Sequence, residues 1–334
     1  MARITLQGRH ETFTCHADDT ITRAALRASI PLPYDCNTGS CGTCKMELVA
    51  GEIISRRPDS TALTDRDRAK RRVLGCQAVP VGDCVIKVRV DETPTPIVPA
   101  MRRATLTRST LVTHDMREFR FELEAPGSFL PGQYGLLYFA GVGAPRAYSM
   151  SNAGEDQHWE FIVKRVTGGA ATGVLFDLPI GSQILLDGPY GHAYLRAGVD
   201  RDVVCIAGGS GLGPALSIAR AASATPLLAN RRLFFFYGGR GRRDLAGQAE
   251  IEALPALAGG VRYVAALSAV TETGDTDWQG LTGPVHEAVA SVLEPPLSQY
   301  EYYFAGPPAM TLATQRLLLE AKVPLTQMHF DQFF

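Results

Sequence analysis

Four cysteines constrain this chain more than any other feature. Cys36, Cys41 and Cys44 follow a C-x4-C-x2-C spacing, and Cys76 stands 32 positions beyond Cys44. The intervening residues, Pro33-Tyr34-Asp35-Cys36-Asn37-Thr38-Gly39-Ser40-Cys41-Gly42-Thr43-Cys44, form a short loop able to deliver three thiolates to one small volume. That is the plant-type [2Fe–2S] spacing, in which two irons and two sulfides take four thiolates. Gly39 and Gly42 let backbone N–H groups turn toward the sulfurs and stabilise a negative cluster. Zinc and disulfides are the competing explanations. Structural zinc favours two paired knuckles, and only one C-x2-C pair is present here. Disulfides call for an oxidising compartment, and Met1-Ala2-Arg3-Ile4-Thr5-Leu6 carries no apolar signal sequence.

The 334 residues suffice for two or three domains. With 46% hydrophobic and 20% charged residues the composition is that of an ordinary globular protein. A net charge of -1 argues against a nucleic-acid surface. No apolar stretch is long enough to span a membrane, so a cytoplasmic setting is expected, without a membrane partner. Cys15, Cys84 and Cys205 are left over and are expected to pack as small hydrophobes.

Residues 1–92 are expected to form a small α+β unit of the β-grasp kind. Arg3–Leu6 and Glu11–Cys15 alternate as a hairpin around Gly8. Asp18-Asp19 offer a cap for a helix over residues 20–29, and strands are expected at 44–49 and 85–90. Asp65–Arg72 reads as a helix, its basic residues forming a solvated face or a dock for an acidic partner. Three prolines between Asp91 and Pro99 mark a linker, assigned to residues 93–101. Residues 102–198 show short β-rich runs broken by Gly and Pro, the pattern of an antiparallel β-barrel. From residue 199 to 334 buried runs end in turns followed by helices, as in a parallel α/β sheet with ligands at the strands' carboxyl ends. The first turn, Gly208-Gly209-Ser210-Gly211-Leu212-Gly213-Pro214, departs from G-x-G-x-x-G, because Pro214 stands where the last glycine would fall.

Taken in order, the cluster loop, Arg146-x-Tyr148-Ser149, Gly168-Gly169, Gly188-Pro189-Tyr190-Gly191, Gly208-Gly209-Ser210-Gly211, Tyr237-Gly238-x-Arg240 and Gly306-Pro307-Pro308-x-Met310 resemble the ferredoxin–NAD(P) reductase superfamily. In particular they resemble reductase components of bacterial multicomponent oxygenases. Pro33-Tyr34-x-Cys36 and the ending His329–Phe334 are similar to toluene monooxygenase reductases, which serve diiron hydroxylases. The resemblance implies that Cys36, Cys41, Cys44 and Cys76 ligate the cluster. Arg146, Tyr148 and Ser149 would hold the pyrophosphate, ring face and ring edge of FAD, with Tyr148 and Ser149 nearest the chemistry. Gly168, Gly169 and Thr172 would complete the phosphate site. Gly209, Ser210, Gly211, Leu212, Gly213 and Pro214 would approach the nicotinamide nucleotide, Tyr237, Gly238 and Arg240 would line its far side, and Gly306, Pro307 and Pro308 would close the pocket. Phe333 and Phe334 either cover the flavin or form a buried apolar tail.

Gly306 stands where photosynthetic relatives keep a cysteine, so no catalytic thiol is expected. Arg240, Arg242 and Arg243 occupy the place of 2′-phosphate ligands in NADP-specific relatives. NADH is nevertheless expected, with Asp244 facing a ribose hydroxyl. NADH delivers two electrons as hydride whereas a cluster carries one, so a flavin between them is required. The expected acceptor is a diiron hydroxylase or a ferredoxin component. The alternatives are the reductase of a Rieske dioxygenase, a sodium-pumping quinone reductase subunit, which would need a membrane anchor, and an iron–sulfur redox sensor without turnover.

Overall fold

The computed structural model describes residues 1–91, 96–154, 157–255, 257 and 259–332, with Gln332 described for its backbone alone. Packing divides the chain into two units, each built from several segments.

The first unit comprises Met1–Met101, Leu136–Ala147 and Leu186–Tyr190. Strands β1 (Ala2–Leu6) and β2 (Thr12–Cys15) form the expected hairpin. Helix α1 (Ile21–Arg27) buries Ile21, Ala24 and Ala25 against it, Leu26 is also buried, and Ser29 at φ 59° ends the helix. Its N-cap is Thr20, not Asp18 or Asp19; the Asp19 carboxylate accepts instead from the Thr20 amide at 2.8 Å. After the cysteine loop come β3 (Lys45–Ala50) and β4 (Ile53–Ser55). Helix α2 (Asp65–Ala69) then starts on a capping box between Thr64 and Asp67. It stops short of the expected Arg72, because Arg71 turns at φ 52° and Arg72 opens β5 (Arg72–Leu74). Strands β6 (Ala78–Pro80) and β7 (Cys84–Lys87) follow. Strand β7 lies inside the sheet, whose order is β2-β1-β7-β3-β5.

The barrel strands are β8 (Ala100–Leu111), β9 (Met116–Leu123), β10 (Tyr134–Tyr138), β11 (Arg146–Ser149), β12 (His158–Lys164) and β13 (Gln183–Tyr190), with α3 (Ala170–Phe176) after β12. They form one six-stranded sheet in the order β11-β10-β13-β8-β9-β12, with β9 antiparallel to both neighbours. Trp159 and Phe161 fill the interior together with Phe121 and Phe129.

The second unit, Arg102–Gly135, Tyr148–Leu185 and Gly191–Phe334, contains a wholly parallel sheet. Its elements are β14 (Asp202–Gly208), α4 (Leu212–Ala224), β15 (Leu233–Gly239), α5 (Gln248–Glu252), β16 (Val261–Leu267), α6 (Val270–Thr273), β17 (Leu281–Thr282), α7 (Val285–Val292), β18 (Tyr300–Gly306), α8 (Pro308–Glu320) and β19 (Met328–Gln332). The order is β17-β16-β15-β14-β18-β19. Strand β14 is buried on both faces, which explains its unbroken apolar run. Helix α4 begins at Leu212, inside the glycine turn. Pro214 sits in its first turn, where a missing N–H costs nothing. A Cβ at Gly211 would overlap the Ala305 carbonyl, so glycine permits this close approach of turn and strand. Among the described residues no helix is long and apolar enough to cross a membrane.

Candidate functional site: a thiol loop, a flavin strand and a nucleotide cleft

The cysteine loop is held by backbone turns that only some residues tolerate. Asn37, Gly39 and Gly42 have φ values of 54°, 81° and 81°. The Ser60 hydroxyl donates to the Gly39 carbonyl at 2.6 Å, and Arg57 Nη1 donates to Thr38 O and Ser40 Oγ, both at 2.9 Å. The amides of Ser40 and Cys41 each donate to Cys36 Sγ at 3.4 Å. Gln77 Nε2 donates to Cys76 Sγ at 3.4 Å, and the sulfurs of Cys44 and Cys76 stand 3.2 Å apart. Cys36 is hydrogen-bonded to Cys41, which holds the Cys36 thiol well below its ordinary value and pushes Cys41 up. The Cys44–Cys76 bond likewise lowers Cys76 and raises Cys44.

Among the described residues no three His, Cys, Asp or Glu side chains converge as they would round a single ion. The thiols pair two and two instead. That suits a two-iron centre, in which each iron takes two cysteines and two bridging sulfides. With amide donors already aimed at sulfur, the loop fits the cluster. Cys15, Cys84 and Cys205 are free and buried in the packed interior, as expected.

Strand β11 carries Arg146, Tyr148 and Ser149. Arg146 is exposed, and one of its terminal nitrogens, Nη1, donates to Ala144 O at 2.9 Å and to Pro145 O at 3.3 Å. Those bonds fix the guanidinium and leave its remaining donors for an anion. Ser149 is 7% exposed, yet its hydroxyl has no protein partner among the described residues. A nearly buried, unspent hydroxyl suits the edge of a flavin ring. Gly169 is the N-cap of α3, and the Thr172 hydroxyl accepts from the Val166 amide at 3.2 Å and donates to Gly169 O at 3.3 Å. Thr172 thus shapes the turn, and the backbone amides around Gly168 and Gly169 are what it offers a phosphate.

At the carboxyl ends of β14, β15, β16 and β18 lies a cleft of about 970 Å³. Gly209, Ser210, Tyr237, Gly238, Arg240, Pro307 and Pro308 line it, as do Arg243 and Asp244. The Tyr237 hydroxyl donates to Gly209 O at 3.2 Å, joining two of these turns. Gly211, Leu212, Gly213 and Pro214 stand behind the wall: Leu212 is core, and a Cβ at Gly213 would lie 3.4 Å from Ser149 O. Gly306 is buried behind Pro307. Phe333 and Phe334 lie outside the described residues. The Asp244 carboxylate accepts from the amides of Arg240 and Gly241 at 3.0 and 3.2 Å. Arg242 turns away, paired to Asp277 at 3.0 Å and set over the Trp278 ring.

Sequence reasoning missed one wall of the cleft. His114 and Asp115 come from the turn between β8 and β9 and Lys164 from the end of β12, with Lys164 Nζ 2.9 Å from Asp115. Burial works to raise the Asp115 pKa, but the bond and charge of Lys164 outweigh it and hold the carboxyl below its usual range. No local pattern marks these residues; only the folded chain brings them beside Tyr237.

Three known families map onto these three regions. Residues 4–81 match the 2Fe-2S iron-sulfur cluster binding domain, 103–194 the oxidoreductase FAD-binding domain, and 205–316 the oxidoreductase NAD-binding domain. The chain is 39% identical over 326 residues to ferredoxin–NAD(P)(+) reductase CarAd of Metapseudomonas resinovorans, covering 96% of each protein. The chain belongs to the ferredoxin–NAD(P)+ reductases. A second relative of this reductase, 36% identical over 96% of this chain and 98% of its own length, is the ferredoxin–NAD(+) reductase component of the alkene monooxygenase system of Xanthobacter autotrophicus. Among solved structures the reductase superposes with a TM-score of 0.91 on the ferredoxin reductase in carbazole 1,9a-dioxygenase, at 36% identity, covering 100% of this chain and 98% of that one. The reductase therefore has the cluster, flavin and pyridine-nucleotide domains of an electron-transferring oxidoreductase, in the order expected from its sequence.

Proposed function

We propose that this reductase draws electrons from NADH and delivers them one at a time to a ferredoxin or hydroxylase component of an aromatic or alkene monooxygenase. The observation that carries the proposal is the paired thiol loop, with amides aimed at Cys36 sulfur, on the same chain as a flavin strand and a nucleotide cleft. When bound, the nicotinamide would supply hydride, the flavin would take it up, and the cluster would pass the electrons on singly. The protein positions them. Cys36 and Cys41 hold one iron, Cys44 and Cys76 the other. Arg146 binds the FAD pyrophosphate with help from the turn at Gly168, Gly169 and Thr172, Tyr148 lies on the ring face, and Ser149 bonds the ring edge. Gly209, Ser210, Tyr237, Gly238, Arg240, Pro307 and Pro308 receive the nicotinamide nucleotide, and Gly211–Pro214 and Gly306 fix the backbone behind them. Phe333 and Phe334 are proposed as a cover for the flavin. The working division is residues 1–92, a linker at 93–101, then 102–198 and 199–334, acting in the cytoplasm.

NADH is favoured over NADPH by the charge around the outer cleft. Asp244, Glu272 and Asp275 share that wall with Arg240 and Arg243, and Arg242 is held elsewhere. A 2′-phosphate would meet three carboxylates, whereas a ribose hydroxyl gains an acceptor.

A dioxygenase as terminal acceptor is the second reading, favoured by the carbazole 1,9a-dioxygenase neighbour. The experiment is an anaerobic titration with NADH, and with NADPH in parallel, followed by absorbance. Bleaching of flavin and cluster bands at low NADH supports the proposal. Intact bands that neither nucleotide bleaches would return the chain to a sensor without turnover. Reduction assays with a purified monooxygenase ferredoxin and a dioxygenase ferredoxin then separate the two acceptors.

A further inference from the structure

Arg23, in the middle of α1, is 1% exposed, although an isolated buried charge is among the costliest things a fold can contain. Its direct partners are neutral. Nη1 donates to the Tyr138 hydroxyl at 2.9 Å and Nη2 to the Asn37 carbonyl at 3.0 Å, while Nε has no partner among the described residues. Two carboxylates lie nearby, Asp19 and Asp187, but both pair with Arg27, at 2.6 and 2.7 Å. Tyr190 completes the group by donating to Asp187 at 3.1 Å. Arg23 thus leaves both carboxylates to Arg27 and is bonded to the thiol loop through Asn37. The Asn37 carbonyl it grips also accepts from Gln77 Nε2 at 3.2 Å, and that same nitrogen donates to Cys76 Sγ at 3.4 Å. Cys76 in turn is among the groups whose charge favours the protonated guanidinium.

We propose that Arg23 is the buried counter-charge of the iron–sulfur centre, raising its reduction potential while fixing the loop through Asn37. A four-thiolate cluster is anionic and gains one further negative charge for each electron it accepts, with no bond made or broken. A fixed cation in a dry site therefore favours the reduced form, and net charge is one of the main determinants of cluster potential. The electron comes from the reductase's own donor and leaves to its acceptor. Tyr138 is the second anchor, since its hydroxyl accepts from Nη1, the terminal nitrogen not used by Asn37. The inference rests on the cluster assignment proposed above.

The test is a mediated dithionite titration of the full-length protein, read by electron paramagnetic resonance for the cluster and by absorbance for the flavin. Iron and sulfide content is measured first. Wild-type protein without a cluster would defeat the underlying assignment, a failure distinct from that of this inference. Arg23→Gln is expected to shift the cluster midpoint to more negative potential and leave the flavin midpoint in place, while Arg23→Lys, which keeps the charge, stays near the wild type. Asp187→Asn removes one of the opposing charges and is expected to shift the cluster the other way. A wild-type cluster midpoint in Arg23→Gln overturns the proposal. If Arg23→Gln assembles no cluster, Asp187→Asn decides: a positive shift supports the proposal, and an unchanged or negative one overturns it.

Discussion

Arg27 Nη2 lies 2.7 Å from Asp187 Oδ1, and the Asp187 side chain is fully buried. This ion pair lies inside the first unit and joins α1 to the last residues of β13. Arg27→Ala leaves a buried carboxylate without its cation and is expected to destabilise that unit by about 3 kcal/mol. The double variant with Asp187→Ala should recover part of the loss, since the more deeply buried of the two carboxylates is then gone and only Asp19 is left without its cation. Urea denaturation of the wild type, Arg27→Ala and the double variant measures both quantities.

The thiols should sort by reactivity. Burial pushes the Cys15 thiol up to about 12, so at pH 8 only about one part in ten thousand is the reactive thiolate. Burial also raises Cys84 and Cys205. The cluster-loaded protein should therefore show no rapidly labelled cysteine with iodoacetamide at pH 8. After chelation, Cys36 should react first. Its thiol is lowered to about 4, so the thiolate is already formed and labelling should be flat from pH 6 to 8. A rate climbing tenfold per pH unit would contradict this.

Gly39 sits at φ 81°, and a Cβ there would approach Gln77 Cγ to 2.8 Å. Gly39→Ala adds about 1–2 kcal/mol of backbone strain to that contact. Gln77 would be displaced from Cys76, and iron content per chain should fall sharply while FAD content is maintained. Metal analysis beside the flavin absorbance checks this.

How far the sequence led depended on the range over which each signal acts. The cysteine spacing and the Gly-Gly-Ser-Gly turn are local, so the loop and the start of α4 were legible to within a few residues. The hairpin β1–β2 declared itself through alternation. Strand β13 has no local signature, because its burial comes from barrel neighbours. Strand β19 was hidden for a similar reason: its pairing with β18, Tyr302 opposite Met328, joins segments 26 residues apart. The helix cap at Thr20 was misassigned to a neighbouring acid that bonds the backbone one residue later. The wall of His114, Asp115 and Lys164 was beyond any local pattern.

Nucleotide choice should respond to Asp244. Its carboxylate holds the turn through two amides and faces the cleft. Asp244→Ala is expected to raise the KM for NADH about tenfold, equivalent to about 1.4 kcal/mol. The variant should also narrow the gap to NADPH, because one of the opposing carboxylates is gone. Steady-state kcat/KM for both nucleotides reads the change, and an unaltered ratio would refute this account of the cleft.

Ser149→Ala removes the one unspent hydroxyl at the end of β11. Loss of a single hydrogen bond of about 1 kcal/mol predicts roughly a fivefold slower flavin reduction by NADH in stopped flow. FAD content should be unchanged, since Arg146 and Tyr148 remain.

The grouping of residues 1–101 with Leu136–Ala147 and Leu186–Tyr190 bears on how such chains can be recombined. The family matches leave a gap between residues 81 and 103, an inviting place to exchange one iron–sulfur module for another. A splice there would part Arg23 from Tyr138, Arg27 from Asp187 and Tyr34 from the Tyr190 ring, 5.9 Å away. A transplanted module would arrive with charges chosen for a different floor. Exchange at this joint is expected to succeed only when the two short barrel segments travel with it, because the unit that packs together is discontinuous in sequence although it is continuous in space.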